Sequence, residues 1–252
     1  MARQNKREIE RQKAETHKKQ LELSKARRRA GGELVAPEPE MEVKPSILIY
    51  CEGRNTEPSY FNQFKVSSAI VKAYGEGKNT LSLVEAAKKI SDDASDRGKP
   101  FDQVWCVFDA DPKPDNPKQL ENFNAAVKQS EAYGFGTAYS NQAFEYWLVL
   151  HFEDHQGAAM PRTDYDPKLN KYLAPYGVTY DGKGTKKVGK DMFAILFEVI
   201  GHDEKGNPIT RCKQATARSK RNYDNAGDHT NPGKEESSTR VHELVTELQK
   251  YT

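Results

Sequence analysis

Two short apolar runs, each tipped with acid, constrain this chain more than any other feature of it. Ile47-Leu48-Ile49-Tyr50-Cys51 leads into Glu52-Gly53, and Val104-Trp105-Cys106-Val107-Phe108 leads into Asp109-Ala110-Asp111. Runs this short, rich in β-branched and aromatic residues and bounded by turn formers, read as buried strands. Helical patterns alternate with them: Leu83, Val84, Ala87 and Ile90 share a face within 81–94, and a further helix spans 118–133 before Gly134. This alternation predicts an α/β domain with a central, mostly parallel sheet flanked by helices. In open sheets of that kind, ligand sites lie beyond the carboxyl ends of the strands. Neighbouring strands would gather Glu52, Asp109 and Asp111 around one point. Three carboxylates repel one another there unless a hard cation sits between them, and oxygen-ligated Mg2+ or Mn2+ fits best. The pattern points to metal-dependent phosphate chemistry.

The rest of the body follows as shorter elements. Gly53 to Pro58 is a turn entering a helix, with Asn55 or Thr56 as cap, Pro58 in the first turn and Tyr60, Phe61 and Phe64 facing inward. Asp111 to Pro117 is a proline-stiffened loop. A short strand is expected over 135–139, an apolar helix over 143–152 and an irregular insertion with short helices over 155–189. Further helices are expected over 190–200, 208–223 and 238–251, the last with Val241, Leu244, Val245 and Leu248 at core spacing. The folded domain is expected over 43–252, preceded by a basic arm and linker over 1–42.

Charge is unevenly spread. Residues 1–30 hold eleven Lys or Arg against four Glu, a net +7, although the whole chain is only +2. Such a segment cannot bury a core face, and it suits a helical or flexible arm that contacts nucleic acid or another acidic partner, or a solvated tail. Gly31-Gly32 and Pro37-Glu38-Pro39 punctuate it as a linker. The cysteines, Cys51, Cys106 and Cys212, are odd in number and lack CxxC spacing, which argues for a reducing compartment and against a disulfide framework or zinc knuckle. No apolar stretch approaches the roughly 18 residues that span a bilayer. Cytoplasmic location without membrane contact is expected.

Several other residues have the right chemistry for a role. Glu145 is a lone acid in Ala-Phe-Glu-Tyr-Trp-Leu-Val-Leu-His-Phe, costly to bury unpaired, so it must reach water, a cation or a basic side chain. Glu57 suits the first turn of its helix through the dipole. His151 and His155 stand at i, i+4 without an evident third ligand, and read as structural. Asp181-Gly182-Lys183-Gly184-Thr185-Lys186-Lys187 lacks the phosphate-loop spacing and reads instead as a basic loop against a nucleic-acid backbone, with Lys183, Lys186 and Lys187 as candidates. The 208–223 helix offers Arg211, Lys213, Arg218 and Arg221 for phosphate contact or as a solvated face.

The chain resembles the RloB-like family of bacterial defence-associated proteins, and through it the Toprim fold of topoisomerases, primases and overcoming-lysogeny-defect nucleases. The resemblance rests on Ile49 to Phe61, on Val107 to Asp111, on Ser140-Asn141-Gln142-Ala143-Phe144-Glu145-Tyr146-Trp147-Leu148-Val149-Leu150-His151-Phe152, on Asn231-Pro232 and on Ser238 to Val245. Many relatives have Pro at the positions of Gln142 and Ser238. The resemblance implies a Toprim-like domain in which Glu52, Asp109 and Asp111 bind one or two Mg2+ (or Mn2+), with Glu145 as a further catalytic candidate. It also brings His242 forward as a residue near the site. It implies a nuclease acting on DNA or RNA, tRNA included, in anti-phage defence and abortive infection, under control of an AAA-type or ABC-type ATPase. A rival reading is a non-catalytic nucleic-acid-binding or assembly module on the same fold. The oligomeric state stays open.

Overall fold

The computed structural model describes residues 12–13, 15–23, 25, 44–73, 80–113, 115–116, 118–156 and 158–252. Contacts divide the chain into a unit over 1–43 and a larger one over 44–252. In the first unit the described residues are helical and exposed. The linker expected around Gly31-Gly32 and Pro37 lies outside the described residues.

The larger unit is built on a four-stranded, all-parallel sheet in the order β2-β1-β3-β4. Strand β1 is Ile47–Cys51, β2 Ala69–Ala73, β3 Gln103–Val107 and β4 Gly136–Thr137. All five residues of β1 are buried, as expected for a strand covered on both faces. Its odd residues Ile47, Ile49 and Cys51 join a core with Tyr60, Phe144, Trp147, Val241 and Leu244. Its even residues Leu48 and Tyr50 join the opposite core with Leu83, Val84, Phe123 and Val127. The side-chain period of two thus sends one strand into two helical layers. On the second face lie α2 (Thr80–Asp96) and α3 (Lys118–Ala132); on the first lie α1 (Thr56–Phe61), α4 (Glu145–Val149) and a helical C-terminal part. That part comprises α5 (Tyr165–Leu173), α6 (Lys190–Leu196), α7 (Arg211–Asn225) and α8 (Val241–Gln249). This arrangement is the expected α/β class and is consistent with a Toprim-like domain.

Two strand features depart from the sequence reading. The 190–200 helix stops at Leu196, and Val199–His202 instead forms β5, paired antiparallel with β6 (Pro208–Thr210). Strand β2 had no counterpart in that reading. It sits at the sheet edge, mostly exposed, where burial does not impose an apolar run. Among the described residues no helix is long and apolar enough to cross a membrane. The three cysteines are free and buried.

Candidate functional site

Register fixes the site. Cys51 pairs with Val107 across β1 and β3, so the residues that follow both strands leave the sheet side by side at its carboxyl edge. Glu52 extends the pairing through its N–H to the Val107 carbonyl (2.8 Å). Its carboxylate then turns to accept the Asp109 N–H through Oε2 (3.2 Å). Asp109 in turn accepts the Phe144 N–H through Oδ2 (3.1 Å), which ties the end of β3 to the start of α4. Beyond the sheet, Asp109 bridges to Ser140, and Ser140 to Thr239, so the C-terminal segment buttresses this edge.

A cleft of about 220 Å³ opens at this point, lined among others by Glu52, Glu57, Asp109, Asp111, Glu145 and the cations Arg162 and Lys186. Five carboxylates therefore face one small space. Burial pushes the Glu52 carboxyl above its ordinary range, with the Asp111 charge adding to it. Burial likewise lifts Glu57 to about 7, reinforced by the charges of Glu145 and Glu52. Asp109 lines the cleft and is half-buried. Burial drives its pKa well up, with Glu57, Glu145 and Glu52 contributing.

Glu57 occupies the first turn of α1, as its capping reading requires, and it also enters the acid cluster. Its carboxylate takes its own N–H and that of Gly53. Gly53 is needed for this approach, because a Cβ there would collide with the Glu57 carboxylate. Glu145 is buried at 6% exposure and accepts the Tyr180 hydroxyl through Oε1 (2.7 Å). Asn170 holds Tyr180 by both backbone groups, donating to its carbonyl (2.9 Å) and accepting its N–H (2.7 Å).

Asp111 has a different environment. Its φ of 39° is left-handed, a conformation that Asp tolerates better than most residues. The turn brings its Oδ1 within 2.7 Å of Arg162 Nη1 and its Oδ2 within 3.4 Å of Lys113 Nζ. The carboxylates of Asp109, Glu145 and Asp111 hold the Arg162 pKa above its ordinary value in spite of burial, which lowers it. Arg162 carries no sequence motif. It lies 51 residues beyond Asp111, in the stretch read as an irregular insertion, and only the fold brings it to the acids.

The donor set is all oxygen and strongly acidic, the chemistry a hard divalent cation requires. Burial is the first cause of the raised pKa in three of these carboxyls, and their mutual charge adds to it. As placed, no group of three His, Cys, Asp or Glu side chains is gathered in ligating geometry among the described residues. Arg162 and Lys113 already neutralise Asp111.

Of the basic candidates, Lys186 lines the cleft. Lys187 is exposed beside it and outside the lining. The four candidates on α7 do not line it. Arg211 donates to Glu198 and Tyr176, Arg218 to the Leu150 carbonyl (2.8 Å), and Arg221 pairs with Asp154. Lys213 is exposed. His151 and His155 take separate partners, the Trp147 carbonyl and the Tyr146 hydroxyl. His242 is buried against Ser219 and Thr239, away from the cleft lining.

The sequence model of the family described as RloB-like protein matches residues 47–248. The chain belongs to the RloB-like family. The match begins at the first residue of β1 and ends within α8, so it takes in every carboxylate of the cleft. No curated protein matches this RloB-like chain at a significant level.

Proposed function

We propose that this RloB-like protein is a metal-dependent nuclease, hydrolysing phosphodiester bonds of DNA or RNA as an effector of anti-phage defence under an ATPase partner. The observation that carries this reading is the convergence of carboxylates from the ends of β1 and β3 and from α1 and α4 on one cleft that also presents Arg162 and Lys186. Glu52, Asp109 and Asp111 would hold the ion. When bound, a divalent cation supplies Lewis-acid stabilisation and an activated water. The chain's own part is to draw the phosphate to Arg162 and Lys186 and to exclude bulk water. Glu145, held by the Tyr180 hydroxyl, lines the same cleft. The defence role and the ATPase rest on the family resemblance.

Two observations favour the rival binding module: Asp111 is already paired with two cations, and among the described residues no three donors are gathered. Incubating the purified chain with labelled DNA and RNA separates the two readings. The nuclease should cleave with Mg2+ or Mn2+, stop in EDTA and lose about 100-fold or more in Asp109→Ala and Glu52→Ala, a loss typical of groups acting on transition-state charge. Oligonucleotide binding without cleavage, even with the ATPase co-expressed, would leave the chain a binding module.

A further inference from the structure

Arg162 belongs to two cavities. One is the acidic cleft; the other, of about 440 Å³, is lined by Arg162, Thr163, Asp166, Asn170 and Lys183 among others. The guanidinium gives Nη1 to Asp111 in an ion pair whose side chains are 44% and 34% exposed. Exposed pairs of this kind are weak. The guanidinium fork has five N–H donors and fits two oxygens of a phosphate better than one carboxylate oxygen. A phosphodiester entering beside Lys183 and Lys186 therefore competes well for Arg162.

We propose that Arg162 is an exchangeable latch: it occupies Asp111 in the free protein and moves to the substrate phosphodiester, freeing Asp111 for the divalent cation. Substrate binding and metal binding are then linked, and linkage of this sort is reciprocal. The phosphate replaces the carboxylate that Arg162 gives up, the divalent cation replaces the positive charge that Asp111 loses, and Asp111 completes the oxygen donor set with Glu52 and Asp109. This inference rests on the proposed metal site and adds the order in which it is assembled.

Binding of Mn2+ to the full chain, followed by electron paramagnetic resonance of the free ion, tests it without any turnover. The measurement is made alone and with a short phosphorothioate oligonucleotide, which keeps the backbone charge and resists cleavage. The wild-type chain should bind Mn2+ about fivefold more tightly with the oligonucleotide, the lower end of usual coupling. A methylphosphonate oligonucleotide, neutral along its backbone, should give no such gain. Arg162→Ala should bind Mn2+ more tightly than wild type by itself and lose the gain. Lys113→Ala, which removes the other cation from Asp111 but not a phosphate ligand of the second cavity, should keep the gain, and its melting curve controls for folding. Equal gain in Arg162→Ala, or equal gain with the neutral oligonucleotide, would overturn the latch while leaving the metal site standing. Failure of the wild type to bind Mn2+ in any arm would overturn the metal site and the latch together.

Discussion

Glu57 is held in the acid cluster by two backbone N–H groups while burial and its neighbours penalise its charge. The sign of the consequence follows from linkage. Its folded pKa, about 7, lies above the ordinary 4.5, so the native state binds the proton more tightly. The stability this gives is full below pH 4.5 and is lost as pH rises to 7. Glu57→Gln keeps an acceptor for both N–H groups and does not titrate. In EDTA it should match wild type near pH 4.5 and exceed it above pH 7 by on the order of 3 kcal/mol, seen as a Tm several degrees higher. A Tm difference that stays flat across this window would refute the assignment. Mg2+ should narrow the gap by binding the wild-type native state. At this scale, Glu52, Asp109 and Asp111 were legible because acids that follow an apolar run have few places to go but the strand end. Glu57 was legible only as a helix-start acid, since the collapse of Gly53 onto it is a backbone event. Arg162 was not legible, because nothing local ties it to Asp111.

Elements differ in how far their own residues specify them. Strands β1 and β3 were legible because covered faces demand apolar residues along all of β1 and most of β3. Strand β2 was hidden because one edge and much of its surface meet water. The β5–β6 hairpin was hidden for a related reason: Val199 and Ile200 continue a helical apolar pattern, yet they remain exposed and pair with the segment before α7. In contrast, α5 shows what an element can do for the site at a distance. Its Asn170 mimics a strand partner for Tyr180, and Tyr180 holds Glu145. Asn170→Ala should cost about 1–3 kcal/mol, because two buried backbone groups lose their partners. Amide exchange at Tyr180 should quicken well beyond the change in β1. Equal exchange across both segments would mean that Asn170 supports the whole domain and not this strap.

The molecule as a whole keeps its charges apart. A net of +2 conceals residues 1–30 at +7 and a remainder at -5, and the remainder's acids include the five that line the cleft. A polyanion approaching such a cleft meets repulsion that Arg54, Arg162 and Lys186 only partly offset. The cations of α7 lie outside the cleft lining, and Arg211, Arg218 and Arg221 already have Glu198, the Leu150 carbonyl and Asp154 as partners. The sequence displayed those arginines as a basic helix, and packing shows Arg211 and Arg221 in ion pairs and Arg218 on a backbone carbonyl. This leaves residues 1–30 as the largest block of positive charge for a nucleic-acid backbone. Contacts of that kind release counterions, and the slope of log K against log salt is about 0.7 per phosphate neutralised on a single strand. Deleting residues 1–30 should therefore weaken oligonucleotide binding strongly at low salt and little at high salt, with a slope shallower by several such steps. Anisotropy titrations of the full and shortened chains across a salt series measure this directly. An unchanged slope would place the phosphate contacts on the folded domain alone. Arg54, Arg162, Lys183 and Lys186, which line the two cavities, would then be the first candidates.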